Sequence, residues 1–160
     1  MAPTKRTADG GEGLAAWLTL LQARSVVVDA LEADLEIPLA WVEVLVQLSS
    51  VPEGRLPMQE LAHSVLLSKS GLTRLFDRVE KAGLVKRTPC PSDRRITWAA
   101  LTPKGLAALR KAMPVLNRSL ERSFSSLLTA AELNALRTTL GKIVNAAGFA
   151  PTPCPTQIPA

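Results

Sequence analysis

The sequence predicts a mainly α-helical chain that carries one small β-hairpin. Two observations support this prediction: apolar residues recur at three- and four-residue intervals over several long segments, and one short region alternates apolar and polar residues. The chain has 160 residues, of which 47% are hydrophobic and 21% are charged. This length and composition indicate one globular domain with a hydrophobic core.

Two amphipathic helices are predicted in the N-terminal part of the chain. Apolar residues from about 14 to 35 recur at helical spacing, and Ile37–Pro38 interrupts the pattern because the residue before a proline disfavours the helical backbone. A second helix then extends to about Ser49 and is followed by the loop 50–54. Residues 1–13 are polar and contain glycine, so we expect a disordered tail rather than a signal peptide.

The central stretch predicts two helices joined by a tight turn. Pro57 opens a short helix that extends to about Val65, and a three-residue turn follows it. Ser68 is a suitable N-cap for a longer helix over 69–82, which Gly83 ends as a left-handed cap. The longer helix has one apolar face and one polar, basic face. This arrangement is typical of a helix-turn-helix.

A β-hairpin is predicted directly after this motif. Residues 84–88 alternate apolar and polar side chains, 89–93 have the composition of a turn, and 95–101 form the second strand. Arginines lie at the tip of this hairpin. Its position and charge indicate a wing, so a winged helix-turn-helix is predicted over about 38–101.

Two further helices are predicted after the wing. Thr102 caps a helix over about 103–127, which Pro114 is expected to kink near its middle. Thr129 caps a last helix that ends at Gly148. Both helices carry long apolar stripes on one side.

The helices outside the winged part predict a homodimer. Segments 14–35 and 103–147 present more apolar surface than one small winged domain can cover, and a second copy would bury it. We therefore predict one domain over 14–147 in which these helices are the dimerisation helices. Residues 148–160 are rich in proline and are predicted to form a disordered tail.

The excess positive charge is concentrated in one stretch. Residues 69–95 contain eight basic and three acidic side chains, and the rest of the chain has eleven of each, within a net charge of +5. A neutral body with one strongly basic stretch is typical of a polyanion-binding site. The alternative is a solvated basic face that serves solubility.

Several classes of protein are disfavoured. Two cysteines are too few for a disulfide framework, and no apolar run reaches the roughly 18 residues of a membrane span, so we expect a cytoplasmic protein without membrane contact. The only histidine, His63, lies far in sequence from Cys90 and Cys154, so neither a metal site nor a cofactor is expected. The sequence shows no nucleophile with a base, no paired carboxylates and no phosphate-binding glycine loop, which argues against an enzyme.

The motifs of the central region resemble those of the MarR family of transcriptional regulators. The matching runs are PMQELA at 57–62, LSKSGLTRLFDRVEKAGLV at 67–85, SDRR at 92–95 and LTPKG at 101–105. The resemblance extends over about residues 14 to 147 and is strongest from 57 to 106.

The resemblance implies a triangular, obligate homodimer in which the first helix and the last two helices of each chain interleave. It implies that the second helix of the motif enters the major groove of double-stranded DNA and that the wing reaches the adjacent minor groove. Members of the family usually repress transcription. Many release DNA when a small aromatic or phenolic molecule binds between the dimer region and the winged domain, or when a cysteine is oxidised.

The predicted DNA contacts lie on the second helix and the wing. Arg74 or Arg78 is expected to contact guanine, and Arg95 is expected to enter the minor groove, while Asp93 pairs with Arg94 or Arg95 to fix the loop. Polar residues at the helix start and other cations are expected to bind phosphates. The predicted DNA-binding residues are Ser68, Lys69, Ser70, Gly71, Thr73, Arg74, Arg78, Arg87, Arg94 and Arg95.

Three further features have competing interpretations. Trp17 and Trp41, with Leu21 and His63, are candidates for an effector pocket, although tryptophan at helical spacing is more often core. Cys90 lies among basic residues that would lower the pKa of its thiol, which would suit a redox switch, although a solvent-exposed bystander is the simpler interpretation. For the chain as a whole, the alternative function is a dimeric adaptor or architectural protein without sequence-specific DNA binding.

Overall fold

The computed structural model describes residues 10–65, 67–90 and 96–148. Within these residues the chain is mainly α-helical with one small antiparallel sheet, as the sequence predicts. The elements in chain order are α1 (Gly10–Asp34), α2 (Leu39–Ser49), β1 (Arg55–Pro57), α3 (Met58–Ser64), α4 (Lys69–Lys81), β2 (Val85–Pro89), β3 (Thr97–Leu101), α5 (Pro103–Ser123) and α6 (Ala130–Ala146).

The sheet has three strands in the order β1-β3-β2, with β3 in the centre. The predicted hairpin is confirmed, because β2 pairs with β3 in antiparallel register from Val85 opposite Leu101 to Pro89 opposite Thr97. Strand β1 was not predicted. It is only three residues long, too short to show an alternating pattern, and its partner β3 lies about 40 residues later in the chain.

The hydrophobic core joins the helix-turn-helix to the flanking helices. Helix α2 contributes several fully buried side chains, and α4 contributes four more on its inner face. The remaining members come from α3, the sheet and α5. The buried core residues are Val42, Val44, Leu45, Leu48, Leu61, Ala62, Leu72, Leu75, Phe76, Val79, Leu84, Val85, Ala99, Leu109 and Ala112.

The junction between α4 and α5 is closely packed. Gly83, with φ of 76°, ends α4 in the left-handed region, as predicted. Thr102 caps α5, since its Oγ1 accepts a hydrogen bond from the Gly105 N–H at 3.0 Å, and the same oxygen lies 2.9 Å from the Leu84 carbonyl oxygen. Lys104 donates from Nζ to the Ala82 carbonyl at the end of α4. The end of α4 is therefore held directly against the start of α5.

Several predicted boundaries need correction. Helix α1 begins at Gly10, so residues 10–13 are helical although they were assigned to the tail. Helix α5 continues through Pro114 and ends at Ser123, after which the backbone turns at Phe124 and the apolar stripe continues on a short 3-10 turn to Leu127. Most of both predicted tails lies outside the described residues.

Helix α1 is long and apolar enough, by length and composition, to cross a membrane, with a mean hydropathy of 1.4 over an 18-residue window. The expectation from sequence did not identify this helix. It counted uninterrupted apolar runs, which Thr19, Gln22 and Arg24 break. An apolar helix of this kind also suits a subunit interface, because either environment removes its side chains from water.

Candidate nucleic-acid interface

Helix α4 has two sharply different faces. Its buried side is formed by Leu72, Leu75, Phe76 and Val79, each 5% exposed or less. The side chains on its other side reach the solvent, as predicted for a helix that lies in a DNA groove. The exposed side chains are Ser70, Thr73, Arg74, Asp77, Arg78 and Lys81.

The start of α4 is capped by a serine. Ser68 accepts a hydrogen bond from the Gly71 N–H at 3.1 Å, and its hydroxyl lies 3.2 Å from that of Ser70. Gly71 was expected to allow close approach to DNA. The structure shows a further local reason for glycine, because a Cβ at this position would lie only 3.2 Å from the Ser68 hydroxyl. Two hydroxyls and the positive end of the helix dipole thus meet at one exposed corner.

Arg74 and Arg78 are four residues apart and therefore lie on the same exposed face of α4, about 6 Å apart along its axis. Lys86 on β2 and Lys81 at the end of α4 are exposed as well. The prediction from sequence did not include these two lysines. Strand alternation identifies Lys86, since the neighbouring Val85 is buried and successive side chains point to opposite faces.

Arg87 does not match its predicted role as a phosphate contact. Its side chain points inward from β2, where Nη2 lies 2.7 Å from Asp77 Oδ1 and Nη1 forms an ion pair with Glu80. The guanidinium carbon lies 4.8 Å from the centre of the buried Phe76 ring. The same alternation that exposes Lys86 turns Arg87 toward α4.

The tip of the wing was predicted to carry Asp93, Arg94 and Arg95, and these three lie outside the described residues. Cys90, directly after β2 on the side of the hairpin tip, is buried with 8% of its surface exposed, so its description as solvent-exposed was wrong. Its backbone N–H donates to the Ile96 carbonyl at 3.0 Å. This bond extends the hairpin ladder past β2.

The four predicted effector-pocket residues do not form one cavity. Trp17 lines an apolar cavity of about 770 Å³ between α1, α5 and α6. His63 lines a different cavity of about 590 Å³ between α3, α4 and the start of β3. Trp41 packs against the core, whereas Trp17 is 55% exposed and Leu21 is also exposed, so assigning Trp17 to the core of the chain was wrong. The sequence could not show that Trp17 is exposed. Helical spacing places a residue on an apolar face but does not show which element, if any, packs against that face.

The described residues contain no group of three or more histidine, cysteine, aspartate or glutamate side chains arranged to hold a metal ion. The candidate site is a surface formed by the start and exposed face of α4 and by the outer face of β2. Its side chains are two serine hydroxyls, two arginines and two lysines. Such a surface can bind phosphates and the edges of bases.

Comparison with known proteins identifies the family. The family model described as MarR family matches residues 42–97, which include α3, α4 and β2. AbsC, a MarR family transcriptional regulator from Streptomyces coelicolor, has a crystal structure that aligns with a TM-score of 0.79 and 35% sequence identity, over 90% of this chain and 99% of AbsC. The chain belongs to the MarR family.

Two other relatives extend the comparison. Sco3205, a MarR family regulator from Streptomyces coelicolor whose crystal structure is in complex with DNA, aligns with a TM-score of 0.78 and 29% identity, over 93% of this chain and 94% of Sco3205. The transcriptional repressor MprA of Escherichia coli strain K12 is 32% identical over 85 residues, which are 53% of this chain and 48% of MprA. The chain spans about half the length of the curated relatives it matches. These relatives are transcriptional regulators rather than enzymes.

Proposed function

We propose that this MarR family chain is a transcriptional regulator that binds a specific sequence of double-stranded DNA. The observation that supports it most strongly is the exposed face of α4, where Arg74 and Arg78 stand beside a serine-capped helix start. Exposed arginines on such a helix suit the major groove, since a guanidinium can bond to both acceptors of a guanine. The DNA complex of Sco3205 supports the same role by similarity. Arg94 and Arg95 remain proposed contacts of the wing.

The proposal includes a homodimer that binds a pseudo-palindromic operator. Helix α6 has no buried residue within the single chain, and its Ile143 is 64% exposed. Leu127, on the turn before α6, is 73% exposed. Isolated helices of this length are marginal in water, so α6 needs a partner surface. A second copy of the chain would fill the apolar cavity beside α1 and would cover α1 itself. We therefore propose that the apolar side chains of α1 belong to this subunit contact rather than to a membrane span. We also propose that the protein is cytoplasmic.

The proposed effect on transcription is repression. A dimer on a promoter would exclude other DNA-binding proteins from the same grooves, and the relative MprA is named a transcriptional repressor. A reporter gene placed behind the selected operator tests this directly. Expression should rise when the regulator gene is deleted, and a fall would instead indicate activation.

The proposal also includes release of DNA by a small aromatic molecule. The cavity of about 590 Å³ beside α4 has the size of a ligand pocket and combines apolar side chains with His63 and Thr73. Because Thr73 belongs to the exposed face of α4, a molecule in this cavity would compete with DNA. Phenolic compounds should then raise the protein concentration needed to shift the operator in a gel. An Ile96→Trp variant, which fills the cavity from an exposed lining position, should respond less.

The experiment that tests the function is selection of bound duplexes from random DNA, followed by gel-shift titration. Enrichment of one inverted repeat with half-sites about one helical turn apart is expected. Recovery of sequences without a common motif, at an affinity equal to that for random DNA, would favour an architectural protein. Failure to bind any duplex would contradict the proposal.

A further inference from the structure

We propose that Arg87 is a positioning residue for DNA binding. It holds β2, the strand that leads into the wing, against α4, so that the helix and the wing keep one relative orientation toward adjacent DNA grooves. This inference rests on the proposed function. In this role Arg87 affects DNA recognition without touching DNA. It acts through its contacts with three residues of α4, and we call the four residues together the Arg87 clamp: Phe76, Asp77, Glu80 and Arg87.

The clamp joins one residue of β2 to three residues of α4. The Arg87 backbone N–H donates to Glu80 Oε1 at 2.6 Å, and its guanidinium pairs with the other oxygen of Glu80 through Nη1. Nη2 lies 2.7 Å from Asp77 Oδ1. The guanidinium carbon also lies 4.8 Å from the Phe76 ring centre, within cation–π range. Bonds through both the main chain and the side chain resist sliding of β2 along α4.

Partial burial makes the bond between Arg87 and Glu80 stronger than an ordinary surface pair. The two side chains are 30% and 32% exposed, whereas Asp77 is 58% exposed. Pairs of this kind are screened less by salt than fully exposed pairs. A guanidinium presents its donors in a fixed fork, so two carboxylates and a ring determine its orientation more tightly than a lysine would. The strand that leads into the wing is therefore held in one place.

The clamp also determines where the negative charges of α4 lie beside the candidate DNA-binding surface. Asp77 and Glu80 are the two acidic residues of α4, and both pair with Arg87. Asp77 lies on the exposed face between Arg74 and Arg78, where an unpaired carboxylate would repel phosphates. If Arg87 left the clamp to bind a phosphate, it would leave two carboxylates unpaired near the DNA. The geometry thus favours an inward role for Arg87 over a phosphate contact.

A Glu80→Gln variant separates the two roles by the sign of its effect. Removal of a negative charge from a DNA-binding segment should tighten binding if only net charge matters. The clamp predicts the opposite, a loss of operator affinity of about tenfold, because the charge-assisted bonds that orient β2 are weakened. The matched control is Glu60→Gln on the neighbouring helix α3, which removes one exposed carboxylate outside the clamp and should leave affinity equal or higher.

An Arg87→Lys variant tests the same inference without changing charge. It should also lose about tenfold in affinity, since an ammonium cannot reproduce the fork and the ring contact. The slope of log affinity against log salt should stay unchanged, because no phosphate contact is lost. By contrast, Lys86→Gln on the outer face of β2 should make this slope shallower by about 1.8, since each subunit of the proposed dimer loses one phosphate contact.

The outcomes separate this inference from the proposed function. If the wild-type protein binds no duplex, the function fails. If the wild type binds its operator but Glu80→Gln binds equally or more tightly, the clamp has no positioning role. If Arg87→Gln makes the salt slope shallower by about 1.8, which is one phosphate contact per subunit, Arg87 contacts phosphate and the inference is wrong.

Circular dichroism melting of each variant is the necessary companion measurement. A lower melting temperature with unchanged operator affinity would show a merely structural clamp and would overturn the inference. Should Glu80→Gln fail to fold, Asp77→Asn breaks only the more exposed pair and should still weaken binding, by less than tenfold, although it too removes a negative charge.

Discussion

A Cβ atom built on Gly105 would overlap the carbonyl oxygen of Leu84. The first turn of α5 thus lies in direct contact with the chain that leaves α4, and only glycine fits between them. The LTPKG motif has a structural explanation in this contact, since Thr102 caps the helix and also lies 2.8 Å from the Gly83 carbonyl oxygen. One short motif joins the proposed recognition helix to the proposed dimer helix.

A Gly105→Ala substitution should lower the free energy of unfolding by about 1–3 kcal/mol, because the backbone must move to admit the methyl group. Urea denaturation followed by circular dichroism measures this change. Gly11→Ala is the control, since Gly11 is also helical and no described atom beyond its chain neighbours and its own helix backbone lies within 4 Å of its Cβ position. The control should be neutral or slightly stabilising. Equal stability of both variants would contradict the packing described at the junction.

Substitution of Arg74 or Arg78 by alanine should weaken binding to the selected operator by about 1–3 kcal/mol for each half-site, if the side chain bonds to a guanine. Gel-shift titration against the operator and a variant with one changed base pair measures both affinity and specificity. The control is Arg118→Ala, which removes an exposed arginine from α5, outside the proposed interface. An equal loss in all three variants would mean that only overall charge matters.

A Trp17→Glu substitution should convert the proposed dimer to a monomer, because it places a charge in the apolar cavity between α1, α5 and α6. Light scattering after size exclusion gives the molar mass. Val26 is 66% exposed on the same helix, nine residues later and thus on the opposite side. Val26→Glu should remain dimeric. A wild-type protein that is already monomeric at micromolar concentration would contradict the homodimer.

The contact of α1 with α5 should contribute less stability in acid. Hydrogen bonds from Ser119 and Arg122 hold the pKa of the Asp34 carboxyl below its ordinary value of 3.8. A lowered pKa stabilises the folded state above the unfolded-state value, and this contribution is lost as the pH falls through the folded-state pKa.

Asp34→Asn should therefore lower the melting temperature at pH 7, and the difference from wild type should shrink as the pH falls below 3.8 toward the lowered folded-state pKa. Melting curves at fixed protein concentration measure this, with Asp29→Asn as a control on the same helix. A difference that persists unchanged in acid would mean that the carboxylate charge is not the cause.

Local features of the fold could be predicted from the sequence, whereas contacts between distant segments could not. Ser68, Thr102 and Thr129 were all identified as helix caps, and each accepts the expected backbone hydrogen bond, because capping depends on residues within one turn. Strand β1 was missed since its pairing is set by residues about 40 positions away.

The candidate site shows the same division. The exposed face of α4 follows from helical periodicity, which placed Arg74 and Arg78 correctly on the side away from the core. The inward direction of Arg87 was available from strand alternation, but its partners Asp77 and Glu80 become evident only when β2 is seen beside α4. The 55% exposure of Trp17 could not be predicted, because helical spacing does not show whether another element covers a side chain.

The short strand β1 limits how the segment that holds α3, α4 and β2 can move. Its pairing with β3 fastens the two ends of the segment that holds α3, α4 and β2, so this segment forms a loop closed by main-chain bonds. A loop fastened at its ends opens only when those bonds break, and its members should exchange amide hydrogens at similar rates as one cooperative unit. Motion between the wing and the two helices is then restrained at both ends of the segment, and changes in DNA affinity would arise mainly from movement of the whole unit.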